Sequence, residues 1–424
     1  MSVLLRAVEI DGATVDCRLQ DGLITGIGPS LTVAPSDEVL EAAGGALIAG
    51  LADHHLHLLA TAANRASVDV SASLDALRAA PGDGWVRGVG AERELTRAHL
   101  DAVEDRRPVR VQHVGGSLWT LNTPALDRLG IAGAERTSGQ LWRADARLRD
   151  LLGDSDPPDV GAVGAELARL GVTHCTDATP DLDSDAIALL RAAVPQHLQL
   201  LGDPAAAGPR KIVVGDHDLP DPDALAARFA DVRAAGRAVA VHVVTRAALV
   251  LTIAALRAVD RHPGDRVEHA AVCDDEQAAQ LADLGVTVVT QPALLARHGD
   301  RYLRDVDALD RPWLWRCAGL HAAGVGVALS SDAPYGPLDP WITLCAARDR
   351  LTASGIVVGP AERIDAATAL VLMQTSLPDP AGPPRRVAVG QPADVVLLAA
   401  PLAEVLAEPD AGAVRRTFIA GWDA

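Results

Sequence analysis

The sequence predicts an α/β fold: a (β/α)8 TIM barrel with a small β-sandwich domain assembled from both chain ends. Three observations carry this. Eight strand-like runs in the middle of the chain alternate with alanine- and leucine-rich helical stretches, the pattern of βα units around a parallel sheet. Both ends read instead as short strands separated by turns. Residues able to bind a metal fall on the strand-like runs, most at their ends, where a barrel carries its active site.

Taken in order, residues 3–10, 13–19 and 23–27 alternate loosely and are separated by Asp11-Gly12 and Asp21-Gly22, which are hairpin signals. Residues 387–398 and 414–420 are also strand-like, so 1–48 and 386–424 are expected to form the composite β domain. The eight barrel runs are 47–57, 172–177, 198–201, 211–214, 238–243, 266–270, 286–291 and 325–332, within a barrel domain spanning 49–385. Helical stretches at 222–235, 246–259, 275–284 and 313–323 separate the later runs. Residues 60–165 are too long for one crossover helix and hold their own strand-like pieces at 85–90 and 109–114. They read as an insertion after the first strand, where long loops build a barrel's site. Residues 375–386, rich in Pro and Gly, read as a linker.

Composition narrows the function. A chain of 424 residues with 49% hydrophobic content can bury a large core. The net charge of −18 argues against nucleic acid and anionic membranes, which would be repelled. Five scattered cysteines without a Cys-x-x-Cys suggest neither a disulfide framework nor a zinc finger. With no signal-peptide pattern and no apolar run of spanning length, a cytoplasmic protein is expected. Of the 38 basic residues only Lys211 is a lysine. Where arginine supplies every other positive charge, a remaining lysine points to a need for an amine that can lose its proton.

The candidate metal ligands begin in Gly50-Leu51-Ala52-Asp53-His54-His55-Leu56-His57. His55 and His57 are two apart, so on a strand they share one face and form half a metal site. His54 points to the other face and is expected to be structural. Lys211 opens the fourth run, His242 lies near the end of the fifth, His269 in the sixth and Asp332 at the end of the eighth. Each alone has a plainer reading: a core histidine for His242, a hydrogen-bonded one for His269, a helix cap for Asp332. His99, His113, His197, His217, His262, His298 and His321 sit in surface-like contexts or lack a partner pattern.

The order His-x-His, Lys, His, His, Asp on strands one, four, five, six and eight resembles the amidohydrolase superfamily of metal-dependent hydrolases. The C-terminal Val389-Gly390-Gln391-Pro392-Ala393-Asp394-Val395 is similar to its terminal β domain. Gly84-Trp85-Val86-Arg87-Gly88-Val89-Gly90, Leu118-Trp119-Thr120-Leu121-Asn122 and Gly299-Asp300-Arg301-Tyr302-Leu303 resemble the amidohydrolase 3 group. The chain departs from that group at Ala49-Gly50, where Pro-Gly is usual. It also departs at Ser117, where relatives often carry histidine, and at Val243-Val244-Thr245-Arg246, in place of a Gly-Asp sequence.

The resemblance implies that His55, His57 and Asp332 bind one metal and His242 and His269 a second, with carboxylated Lys211 bridging them. Two Zn2+ ions are the first expectation, one metal or manganese or iron the alternatives. A metal-bound hydroxide would then attack a C–N bond, an amide or cyclic amide of a small molecule, with Asp332 moving the proton. Trp85, Arg87, His113, Trp119, Asn122, Asp177 and Gln291 are candidate substrate contacts, and seven tryptophans among eleven aromatics hint at an apolar or ring-containing substrate. The rival readings are a mononuclear deaminase of a heterocycle, which needs no Lys211, and a non-catalytic protein with a relic metal site. The expected partners are a small-molecule substrate and, as for many large barrels, a second copy in a homodimer.

Overall fold

The structure, a computed structural model, describes residues 2–91, 94–153, 157–215 and 218–424. His217 lies outside the described residues. The chain divides into two compact units, Met1–Leu58 with Gly161–Ala424, and Leu59–Val160.

In the first unit β1 (Ser2–Ile10), β2 (Ala13–Gln20) and β3 (Leu23–Gly28) form an antiparallel meander. Asp11, Gly12, Asp21 and Gly22 all have positive φ, as tight two-residue hairpin turns require. β4 (Asp37–Glu41) then pairs parallel to β1, a strand too polar to be legible in the sequence. β5 (Leu47–Ala49) and β6 (Leu51–Leu56) divide the single run expected at 47–57. The break is at Gly50, where a Cβ would come within 2.3 Å of the Thr173 side chain. β5 joins the C-terminal strands and β6 joins the parallel ones.

The second unit is built on a five-stranded sheet of β7 (Val68–Asp69), β8 (Val86–Ala91), β9 (Val109–His113), β10 (Leu118–Leu121) and β11 (Gln140–Trp142), in the order β11-β10-β9-β8-β7. Its apolar clusters centre on Leu77, Leu100, Val109 and Val111, and on Leu121, Leu126 and Leu141.

The first unit resumes with β12 (Val172–Asp177), β13 (His197–Leu200), β14 (Arg210–Val213), β15 (Val239–Val243), β16 (Arg266–His269), β17 (Thr287–Thr290) and β18 (Gly326–Leu329). Each begins and ends within one residue of an expected run except β18, which stops at Leu329 and leaves Asp332 in the segment after the strand. Helices begin where their caps dictate. Asp221 caps Pro222–Ala234, Thr245 caps Arg246–Arg257, and Asp274 with Gln277 forms a capping box on Asp275–Leu284. The helix expected over 313–323 is replaced by a short turn, Arg311–Trp313, and by Ala318–Ala322. Between them Trp315 takes φ 49°, which interrupts a helix.

The parallel strands form two ladders, β13-β12-β6 and β14-β15-β16-β17-β18. The closed eight-stranded barrel is therefore corrected to two arcs. A few backbone hydrogen bonds meet at their ends: Lys211 N donates to Leu201 O (3.0 Å) at one seam, and Asp332 N to His55 O (2.8 Å) and His57 N to Ala333 O (2.8 Å) at the other.

The chain closes with β19 (Val395–Leu398), β20 (Val414–Ile419) and β21 (Trp422–Asp423), in a sheet ordered β21-β20-β19-β5. Residues 387–394, expected in the same strand as β19, are irregular. Leu5, Leu19 and Ile24 of the N-terminal sheet share one apolar cluster with Val395, Leu397 and Phe418. Burying each such side chain stabilises by about 1.5–3 kcal/mol. Among the described residues no helix is long and apolar enough to cross a membrane.

Candidate metal centre

The ends of β6, β16 and β18 converge. Asp332 Oδ1 lies 3.4 Å from His57 Nε2 and 3.6 Å from His55 Nε2. One ligand atom from each of these three residues lies within 4.8 Å of the others. Asp332 Oδ1 is buried and has no hydrogen-bond partner. A buried carboxylate oxygen facing two imidazole nitrogens fits a shared cation, because an unsatisfied buried acceptor is otherwise expensive. Lys211 Nζ is 3.4 Å from His55 Nε2. The His269 ring lies 4.7 Å from that of His55 and 4.6 Å from that of His242, centroid to centroid. The structure thus brings all six expected ligands into one cluster, although only His55, His57 and Asp332 close to ligand spacing.

The orientation of each ring follows from its outer nitrogen. His55 Nδ1 contacts Glu268 Oε2, and His57 Nδ1 lies 3.2 Å from Thr179 Oγ1. His269 Nδ1 is 2.9 Å from Gln291 Oε1. The Gln291 amide nitrogen donates to Val289 O and Ser330 Oγ, so its oxygen is an acceptor and His269 Nδ1 must donate. That leaves Nε2 of His269 with its lone pair. Outer partners that fix the tautomer in this way are how metal-binding histidines are oriented.

Electrostatics agree with ligation. Burial, aided by the charge of Lys211, holds His55 well below the usual histidine range, and burial does the same to His269. Both rings are neutral, so the His55–Glu268 contact is a hydrogen bond to a carboxylate and not an ion pair. Burial pushes Lys211 down to about 8, against the pull of Glu268 and Asp332, which enlarges the neutral-amine fraction. Glu268 is opposed by its own burial, yet the charges of Arg266 and Lys211 hold it below the ordinary value.

Two of the clustered residues have left-handed backbone, His269 at φ 75° and Asp332 at φ 53°. Non-glycine residues in this region store about 1–3 kcal/mol and concentrate at functional sites. At His269 the turn breaks strand alternation, so that Glu268 and His269 both reach His55.

Two residues of the cluster were not anticipated. Glu268 holds His55 and Arg266, and Asp53 accepts hydrogen bonds from His55 N (3.2 Å), Ser331 N (3.1 Å) and Ser331 Oγ (2.5 Å), which fastens β6 to the segment bearing Asp332. The legible signal was charge in apolar strands. Arg266 and Glu268, two apart, share a strand face and had to pair. His54, expected to be structural, hydrogen-bonds Thr375 Oγ1 through Nε2 at 2.8 Å.

The expected substrate contacts divide. Asp177 is fully buried and accepts from Leu58 N (2.8 Å) and Thr179 N (2.9 Å), and Gln291 is engaged with His269 as described. Both support neighbouring groups from behind. In the second unit Asn122 caps the helix Thr123–Arg128, accepts from Val109 N and Ala125 N, and donates to Glu104 O and Arg107 O. Its role as a substrate contact is corrected: it is fully buried and its amide is used up by the fold. Trp119 is likewise 5% exposed, in an apolar cluster that Trp85 flanks, with its Nε1 donating to Asp145. Arg87 bonds Ser67 and Gln112 and stacks on Trp119, and His113 Nδ1 accepts from Gly115 N. An aromatic wall that no single motif announced stands over the cluster, with Tyr335 edge-on to His57 at 5.7 Å and Trp315 edge-on to His269 at 6.3 Å.

Residues 38–421 match the sequence profile of the Amidohydrolase family. The chain is 26% identical to an N-substituted formamide deformylase of Arthrobacter pascens, over 86% of this chain and 87% of that protein. Among solved structures it is similar to an uncharacterized metal-dependent hydrolase of Pyrococcus furiosus (TM-score 0.74, 19% identity, 94% and 99% of the two chains). It is also similar to the N-isopropylammelide isopropylaminohydrolase of Burkholderia multivorans (TM-score 0.59, 19% identity, 100% and 98%).

Proposed function

The chain belongs to the Amidohydrolase family, and from that premise we propose that it hydrolyses a C–N bond, an amide or cyclic amide, of a small molecule in a metal-dependent reaction. The observation that carries the reading is the buried, unpartnered Asp332 Oδ1 facing His55 Nε2 and His57 Nε2. These three residues would hold one divalent ion, zinc first by ligand chemistry. His242 and His269 would hold a second, with Lys211, carboxylated on its neutral amine, between them. When bound, the metal supplies positive charge that acidifies water and polarises a carbonyl group.

The remaining work falls to the chain's own groups. Asp332 accepts the proton of the attacking water at Oδ2 and delivers it to the leaving nitrogen. Glu268 and Gln291 hold His55 and His269 with the proton on Nδ1 and the lone pair on Nε2, and Thr179 braces the His57 ring. Tyr335 and Trp315 offer an apolar, aromatic wall to the substrate's N- or acyl substituent. The relative that deformylates N-substituted formamides supports an amide substrate with such a substituent. In domain terms we propose a composite β domain from 1–48 and 386–424, a barrel over 49–385, and residues 59–160 as its insertion.

A one-metal reading has its own support, since of the five expected histidine and aspartate ligands His55, His57 and Asp332 are the three whose donor atoms lie within 4.8 Å of one another. Metal per chain in unaltered protein and in Lys211→Ala, both purified without chelator and with bicarbonate, separates the two readings: loss of an equivalent in the variant supports the two-metal centre, and equal content the one-metal one. Activity is then screened on formamides, amides and lactams, with heterocyclic amines as the deaminase control. Asp332→Asn should lower turnover by about 10²–10⁴-fold with metal retained on the imidazoles. Unchanged turnover in that variant removes Asp332 from the mechanism.

A further inference from the structure

We propose a second divalent-metal site, separate from the centre above, in which His174, His197 and Asp394 clip β12 and β13 to the chain that enters β19. β12 and β13 are parallel with His174 paired to His197, so the two rings share a face, their centroids 4.5 Å apart and their planes 34° from parallel. Asp394 reaches both: Oδ1 lies 3.0 Å from His197 Nε2 and Oδ2 lies 4.0 Å from His174 Nε2. One donor atom of each residue lies within 4.8 Å of the others. A tetrahedral ion with bonds of about 2.0–2.2 Å spaces its ligand atoms about 3.3–3.5 Å apart, between the two observed separations.

The hydrogen bonding around the cluster prepares it for a cation. The Thr173 hydroxyl lies 2.8 Å from His174 Nδ1 and can accept its proton while donating to Leu51 O at 3.4 Å. In that tautomer the lone pair of His174 is on Nε2, 4.0 Å from Asp394 Oδ2. That contact is repulsive, and an ion between the two groups makes it attractive. Asp394 is fixed in place, since Ala420 N donates to its Oδ1 at 2.8 Å and Gly50 N to its backbone oxygen at 2.9 Å. Arg385, whose Nη1 lies 3.5 Å from Thr173 Oγ1, places a fixed positive charge beside the cluster.

The chemistry selects the ion. Arg385 opposes any cation here, so the site takes one with strong bonds to imidazole, such as Zn2+, Ni2+ or Co2+, and not Ca2+ or Mg2+. A cavity of about 390 Å³ is lined by both histidines with Arg191, Gln199 and Ser376, which gives access and room for a fourth, water ligand. The three residues are far apart in sequence, so a bound ion stabilises the fold through its preference for the folded state.

The test uses the full chain, stripped of metal and reloaded with Zn2+ or Co2+. His197→Gln and His174→Thr should each lose one equivalent by elemental analysis, with affinity for that equivalent down about 100-fold or more. The Co2+ absorption of that equivalent should disappear with it. His57→Asn, which acts at the other centre, should keep it whatever the first site does. His197 is half-exposed, so glutamine there is compatible with folding even if His174→Thr is not. In unaltered protein Zn2+ should raise Tm and protect His197 from acylation by diethyl pyrocarbonate. Equal metal content and an equal zinc-dependent rise in Tm in wild type and His197→Gln overturn the proposal. So does unprotected His197 at saturating zinc.

Discussion

Glu268→Gln separates the two roles that the buried carboxylate combines. Glu268 is fully buried, receives Arg266 through Nε and Nη2, and contacts His55 Nδ1 with Oε2. Glutamine matches its shape but has one acceptor oxygen and no charge, so His55 and Arg266 cannot both be satisfied. The Arg266 side chain is 1% exposed and its Nη1 already has no hydrogen-bond partner. Stripping the charge from its partner leaves a buried cation, which costs about 3–5 kcal/mol. Loss of the carboxylate behind His55 should weaken metal binding by about 10–100-fold. Urea denaturation reads the first effect and chelator competition the second. Adding Arg266→Met removes the stranded cation, so the double variant should regain much of the stability while keeping the weakened metal binding. Wild-type metal affinity in the double variant refutes the argument that Glu268 orients His55 for a metal.

Other substitutions address the remaining parts of the chain. Lys211→Ala should abolish activity and regain part of it with added formate or acetate, which replace the carbamate; full activity without rescue removes Lys211 from the centre. Gly50→Ala places a methyl within 2.3 Å of Thr173 Cγ2 and Oγ1 and should cost about 1–3 kcal/mol by overpacking, partly recovered by Thr173→Ala. An unchanged Tm for the single variant contradicts the close approach. In the N-terminal sheet, hydrogen bonds from Arg18 and Ser2 hold the Asp37 carboxyl at about 2. A lowered folded-state pKa means that the stabilisation is present above the unfolded value of 3.8 and lost as pH falls toward 2. Asp37→Asn should therefore be less stable than wild type at neutral pH, with the difference shrinking below pH 4, as denaturation at several pH values would read.

Much of the architecture was legible locally. Strand-like runs at 172–177, 238–243 and 266–270 match β12, β15 and β16 closely, because buried parallel strands are apolar throughout and their flanks carry turn and cap residues. The split at Gly50 was not legible. β5 pairs with β19 and β6 with β12, partners over a hundred residues away, and a glycine in an apolar run gives no sign that the Thr173 side chain comes close. β4 escaped because its Asp-Glu-Val-Leu-Glu has little β character until β1 offers it a partner. Trp119 and Asn122 are candidate substrate contacts by their place in the insertion, whereas in the structure they serve packing and capping.

At the centre, the order of residues along the chain points to candidate ligands in or just after β6, β14, β15, β16 and β18. His-x-His has only one face on a strand, and a lone lysine among arginines marks an amine. Tertiary structure alone decided which nitrogen of each ring faces inward, since this depends on Glu268, 213 residues from His55, and on Gln291, 22 from His269. It alone decided that His174, unremarkable in an apolar strand, meets His197 and Asp394. Periodicity reports the face on which a side chain lies, a property of neighbouring backbone angles. What waits on that face is set by the closure of long loops around a shared core, and no local pattern encodes it.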